Sequence, residues 1–122
     1  MIQKINKSMV SRAIISKIEE ERNPKEIRTN HLVGYNSPSE VSNKTNKEFT
    51  PDIAAIYEDE IIMYEIELDT NLPVEKWQTF SKHVHQNNGS FYLVVPNQLK
   101  EIVKKELEEK QVNAGVITFA TE

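Results

Sequence analysis

The stretch Pro51-Asp52-Ile53-Ala54-Ala55-Ile56-Tyr57-Glu58-Asp59-Glu60-Ile61-Ile62-Met63-Tyr64-Glu65-Ile66-Glu67-Leu68-Asp69 decides the fold. It reads as two β-strands joined by a short acidic turn. Side chains two apart in a strand share a face, so Ile62, Tyr64, Ile66 and Leu68 make one apolar face. The other face begins apolar with Ile61 and Met63, ends on Glu65 and Glu67, and is continued by Asp69 if the strand lasts that long. A two-residue turn at Asp59-Glu60 sets Glu58 against Ile61 and Asp52 against Glu67, which gathers three carboxylates at one end of the hairpin. A three-residue turn sets Asp52 against Ile66 and spoils that gathering. Asp59-Glu60 is neither Asn-Gly nor Asp-Gly, the favoured hairpin turns, so the register stays open.

Clustered carboxylates repel, which raises their pKa values unless a cation sits among them. A hard ion such as Mg²⁺ suits oxygen ligands and needs one or two carboxylates, completed by water and substrate phosphate. The same Glu-Ile-Glu also describes the wet face of an amphipathic strand, and the bare pattern favours that plainer reading.

Upstream, residues from Ile5 to Arg22 predict a helix with a stripe at Ile5, Met9, Ala13, Ile14 and Ile18. Lys4, Lys7, Arg12 and Lys17 fall off that stripe, and Asn23-Pro24 stops the helix. Ile27, Leu32 and Val33 predict a strand over Ile27 to Gly34, with His31 a lone surface or internally satisfied histidine. Asn36 to Lys47, rich in Asn, Ser, Pro and Thr, predicts a loop that carries Lys44 and Lys47 toward Thr50-Pro51-Asp52.

Downstream, Thr70-Asn71-Leu72-Pro73 predicts a capped helix start and Val74 to Asn87 the helix, with Trp77, Phe80, Ser81 and Val84 inward. Asn87-Asn88-Gly89 stops it. His83 and His85, two apart on a helix, point different ways and make a poor metal pair. Phe91 to Val95 predicts a buried parallel strand. Asn97 caps a last helix over Gln98 to Lys110, with Leu99, Ile102, Val103 and Leu107 inward, and Val116 to Phe119 makes a final strand.

The 122 residues suit one domain with a real core. There is no cysteine, which excludes disulfides and thiolate zinc sites. No apolar run reaches membrane-span length, and Met1-Ile2-Gln3-Lys4 opens no signal-peptide pattern, so the expected location is the cytoplasm. The net charge of −4 is uneven: +3 over residues 1–49 and −7 over residues 50–122. A basic first part can face a polyanion while an acidic second part holds a metal, although charged helix surfaces explain the same numbers. No Gly-rich phosphate loop and no serine or cysteine nucleophile motif is present.

The order helix, three strands, helix, strand, with Pro51-Asp52 opening one strand and Glu65-Ile66-Glu67 closing the next, resembles the PD-(D/E)XK nuclease superfamily. The resemblance covers essentially the whole chain, 1–122, in element order, and its motif rests on few residues. It implies an α/β, restriction-endonuclease-like αβββαβ core: a single nuclease-like domain with a mixed central sheet flanked by helices. It implies that Asp52 and Glu65 bind Mg²⁺ or Mn²⁺, with Glu67 a third ligand or general base. Glu67 departs from the pattern, because a lysine is usual there; some members carry the lysine on the following helix, where Lys76 is the match and Lys82 the next. Gln78, beside Trp77, is a further residue that can point to the site. A glutamate of the first helix sometimes joins the metal in this family, and Glu21 is the position for it here, a solvated helix end being the plainer reading. The resemblance further implies DNA as the nucleic-acid partner, phosphodiester hydrolysis as the reaction, and a homodimer. The alternative is a catalytically inactive relative that binds nucleic acid or a protein.

Overall fold

The computed structural model describes residues 4–121; the reading of Met1, Ile2 and Gln3 lies outside them. Three helices pack on a five-stranded mixed sheet. In chain order the elements are α1 (Lys7–Glu21), β1 (Glu26–Thr29), β2 (Val41–Ser42), β3 (Glu48–Phe49), β4 (Ile53–Ile56), β5 (Ile61–Ile66), α2 (Val74–Gln86), β6 (Ser90–Pro96), α3 (Lys100–Glu109) and β7 (Gly115–Phe119). A 3₁₀ turn, Asn97–Leu99, leads into α3. The sheet runs β1-β4-β5-β6-β7; β2 and β3 form a separate small hairpin. β4 runs antiparallel to both its neighbours, β1 and β5, and β5, β6 and β7 run parallel. Among the described residues no helix is long and apolar enough to cross a membrane.

The alternation read in β5 sorts the two layers. Tyr64 and Ile66 pack with Val10, Ile14, Ile15 and Ile18 of α1, and Ile62 and Leu68 lie against that cluster. Met63 packs on the other face with Trp77, Phe80 and Val84 of α2 and Val103 and Leu107 of α3, and Ile61 joins it. Burying each such side chain is worth about 1.5–3 kcal/mol, so both helix layers are held by the sheet.

Several expectations are corrected. The hairpin has neither of the two anticipated registers. Ile56 pairs with Ile61 and Ile53 with Tyr64, so the next rung sets Asp52 against Glu65. Four residues connect the strands, and Tyr57 N–H donates to the Glu60 carbonyl at 2.9 Å. The connection is also tied down from outside the hairpin. Arg22, at the end of α1, stacks its guanidinium 4.0 Å above the Tyr57 ring and donates to Glu60 at 3.2 Å, while the Tyr57 hydroxyl donates to the Arg22 carbonyl.

The buried stripe of α1 is Val10, Ser11, Ile14, Ile15 and Ile18, whereas Met9 and Ala13 are exposed. Lys7 stands four residues before Ser11 and seven before Ile14, on the buried row. The expected long strand stops at Thr29, and the expected loop 36–47 contains β2 and leads into β3, with Val41 buried. β5 ends at Ile66, although Glu67 N–H still donates to the Val94 carbonyl at 3.0 Å. Asp69 leaves the strand line, is exposed, and accepts from Asn71 N–H at 2.9 Å. Pro73, not Thr70, is the capping position of α2, and no side chain caps it. Asn97 lies in the 3₁₀ turn and caps nothing, and Ile102 is exposed. After α2, Asn88 takes the left-handed conformation; Gly89 is needed for closeness, since a Cβ there would stand 2.0 Å from the Ile61 carbonyl oxygen.

Candidate active site

The register brings Asp52, at the mouth of β4, beside Glu65, near the end of β5, with Glu67 two residues further. All three are buried, Glu65 completely. Asp52 and Glu65 are interlocked. Asp52 N–H donates to Glu65 Oε1 at 3.1 Å, and Ile66 N–H donates to Asp52 Oδ2 at 2.8 Å. A buried carboxylate is costly unless it is paired or hydrogen-bonded, so the charges around this corner have to be accounted for.

Asp52 is supplied from the α1 side. Lys7 Nζ donates to Oδ1 at 3.1 Å and to Oδ2 at 3.0 Å, and His31 Nε2 lies 2.6 Å from Oδ1. His31 is itself fixed: its N–H donates to Thr29 Oγ1, and its carbonyl accepts from the Ser8 hydroxyl. The Thr29 hydroxyl in turn donates to the Asp52 carbonyl at 2.7 Å. Burial pushes the Asp52 pKa up, but the Ile66 N–H, Lys7 and His31 outweigh it and hold the carboxyl below its ordinary range. Burial likewise works against the Lys7 charge, yet Asp52, Glu65 and Glu67 together hold its pKa above the ordinary lysine value. Lys7 therefore lies within electrostatic reach of all three acids.

Glu65 is supplied from the α2 side, by Lys76, whose ammonium lies against Oε2. Oε2 is buried, and that ammonium is its charge partner. Burial first, and then the Asp52 charge, push the Glu65 pKa up to about 8, with Lys76 pulling the other way. Glu67 Oε2 accepts from the Trp77 indole N–H at 2.9 Å. Burial leaves the Glu67 pKa above its ordinary value despite that bond.

Of the residues expected at the site, Asp52, Glu65, Glu67 and Lys76 thus belong to one connected corner. Gln78 and Lys82 do not reach it; they line a cleft on the outer side of α2. Glu21 is exposed at the other end of α1 from Lys7, about 21 Å along the helix axis. His31, expected as a surface or internally satisfied histidine, is satisfied as an Asp52 partner, and Lys7, placed off the helix stripe, is another. Lys7 was legible in principle, because it continues the row Ser11-Ile14-Ile18. His31 had no signal, since only the tertiary fold brings it to Asp52.

The donor set fits a hard divalent cation in kind: two interlocked carboxylates and a third nearby, with Glu65 Oε2 covered by the Lys76 ammonium. Among the described residues no three His, Cys, Asp or Glu side chains are grouped closely enough to cage an ion. An Mg²⁺ site bound through one or two carboxylates does not need such a cage. No family model, no curated protein and no solved structure matches the chain.

Proposed function

We propose that the protein is a divalent-metal-dependent nuclease with a restriction-endonuclease-like core, hydrolysing phosphodiester bonds in DNA. The observation that carries the reading is the Lys76–Glu65 contact. The motif position usually filled by lysine holds Glu67, and a lysine from the following helix reaches the motif acid instead. The order α1, β1, β4, β5, α2, β6 supports the αβββαβ assignment.

Asp52 and Glu65 would hold the ion, with Glu67 beside them. A bound Mg²⁺ supplies charge neutralisation at the phosphoryl oxygens and a more acidic water. The chain's own groups do the rest. Asp52, kept ionised, offers a fixed negative anchor. Lys76 presents an ammonium at the edge of the carboxylate pair, placed to orient the attacking water and to meet charge on the phosphoryl group. Glu67, whose pKa burial raises above the ordinary carboxylate value, is a stronger base than an exposed glutamate and is the candidate to accept a proton from that water. Lys7 balances the corner before the ion arrives and must share Asp52 with it.

The test is incubation of labelled DNA with the protein and Mg²⁺ or Mn²⁺, beside Asp52→Ala and Glu65→Ala. Cleavage by the wild type and its loss in both variants is the expected result. Equal cleavage by all three, or none on any nucleic acid, overturns the proposal. One observation favours a second reading, a metal-free nucleic-acid-binding relative: both Asp52 oxygens are already engaged by Lys7, His31 and Ile66 N–H. Calorimetry that detects no Mg²⁺ or Mn²⁺ binding to the folded protein would decide for it.

A further inference from the structure

Between the β2–β3 hairpin and the outer face of α2 lies a cleft of about 580 Å³. Its walls carry Asn43 and Lys44 from the hairpin and Gln78, Lys82, His83 and Gln86 from the helix. We infer that this cleft is the track for one nucleic-acid strand, held by its phosphates and not by its bases; the inference rests on the nuclease reading above.

Five features carry it. The hairpin wall is anchored: Val41 is buried in the α2 layer, and the Phe49 ring meets Phe80 edge-on at 6.4 Å. The acid that would repel a phosphate is neutralised, because Glu75 accepts from Lys47 Nζ at 3.1 Å and Asn43 Nδ2 at 2.9 Å. Among the described residues Lys44 and Lys82 have no carboxylate partner. A protein of net charge −4 thus lines this one cleft with two ammonium groups that no carboxylate engages.

The lining also carries amides and hydroxyls and no Phe, Tyr or Trp. It offers donors to phosphate oxygens and no platform on which bases stack. Finally, the cleft shares α2 with the site, although none of Asp52, Glu65, Glu67 and Lys76 lines it. Lys76 stands seven residues, two helical turns, before His83 on α2. A strand that leaves the cleft past His83 toward the start of α2 would approach the ammonium that touches Glu65.

The test is fluorescence anisotropy with a labelled single-stranded 20-mer in EDTA, so that binding is read without cleavage, over a KCl series. Lys44→Gln/Lys82→Gln should weaken binding about tenfold or more at low salt. It should also reduce the slope of log affinity against log salt by about 1.4, the share of two phosphate contacts on a single strand. The control Lys104→Gln/Lys105→Gln, exposed on α3, should leave both nearly unchanged. Equal losses from the two pairs, an unchanged slope in the cleft variant, or wild-type binding insensitive to salt would each overturn the track. The two proposals separate cleanly. A wild type that cleaves DNA while the cleft variant binds unaltered sinks the track and keeps the nuclease. A wild type that never cleaves, but whose binding collapses in the cleft variant, sinks the nuclease and keeps the cleft as a strand-binding site.

Discussion

Asp52 and Glu65 stand on adjacent strands, one rung beyond the last paired residues, and are hydrogen-bonded to each other's segment. Their surroundings pull them apart. On the α1 side, Lys7, His31 and a backbone N–H converge on Asp52 and keep it charged. On the α2 side, Glu65 is fully buried, meets one ammonium, and is pushed up to about 8. Two acids of nearly equal intrinsic strength are thereby given different proton affinities, the arrangement by which one fold separates an ionised carboxylate from a protonated one. A divalent ion would erase the difference, because it favours both charged forms. The contrast between the two sides is therefore a measure of how ready the corner is for metal.

The hardest blow to that contrast is removal of either acid. Several kcal/mol of charge stabilisation correspond to about 10³-fold in rate, and single-turnover cleavage by Asp52→Ala or Glu65→Ala should fall by at least that much. Next comes Lys76→Met, which strips Glu65 of its partner while Asp52 keeps both of its own. Cleavage should drop about a hundredfold, and the pH at which Mn²⁺ begins to bind should rise. An unchanged onset would mean that Lys76 does not govern the Glu65 charge.

The same contrast predicts opposite pH dependences of stability. Glu65 binds its proton more tightly folded than unfolded, so its contribution is complete below 4.5 and drains as pH climbs through about 8. Asp52 behaves in reverse: its contribution is present above its ordinary value of 3.8 and is lost as acid protonates it. Urea titrations in EDTA at pH 5, 6.5 and 8 should show falling stability, and Glu65→Gln should flatten that fall. A slope that persists in Glu65→Gln would assign it elsewhere. With saturating Mn²⁺ the decline should reverse, since metal binding displaces the proton.

What the sequence could and could not disclose follows from the same corner. The strand alternation was legible, because Ile62, Tyr64 and Ile66 against Met63 is a local period-two pattern that burial enforces. So were α2 and its packing face, and the parallel strand after Gly89. The register was not: Asp59-Glu60 does not specify a turn, and the contacts of Arg22 with Tyr57 and Glu60 come from 35 and more positions away. In the α1 stripe Ile14 and Ile18 were legible, but Met9 and Ala13, which fit the same three-and-four spacing, were read in place of Val10, Ser11 and Ile15. Missing Ser11, four residues on, concealed Lys7. Lys76 was legible only through the resemblance, since nothing local distinguishes it from Lys82, which faces the cleft.

Smaller effects probe the supports on each side. Trp77→Phe keeps the ring in the α2 layer but removes the donor to Glu67. A buried acceptor left unsatisfied costs about 1–3 kcal/mol, to be read as a lower urea midpoint with an unchanged m-value. The loss should shrink in Trp77→Phe/Glu67→Leu, where no polar atom is stranded.

Arg22→Ala is the mildest change and tests whether the contacts of Arg22 set the register. Its ion pairs are exposed and worth little, and its stacking on Tyr57 adds about 0.5–1 kcal/mol. The stability loss should therefore stay near 1 kcal/mol. The informative readout is positional. If Arg22 only secures a connection that the paired strands already favour, Asp52 remains opposite Glu65 and Mn²⁺ affinity is unchanged. If Arg22 selects the register, the hairpin slips, and a shift of one residue turns every side chain of the strand to the other face. Asp52 would then leave Glu65, and metal binding would fall far more than a surface substitution on its own can explain. Amide exchange at Ile66, whose N–H is held by Asp52 at 2.8 Å, distinguishes the two: protection retained means a passive clamp, and protection lost means that a single arginine sets the spacing of the acids.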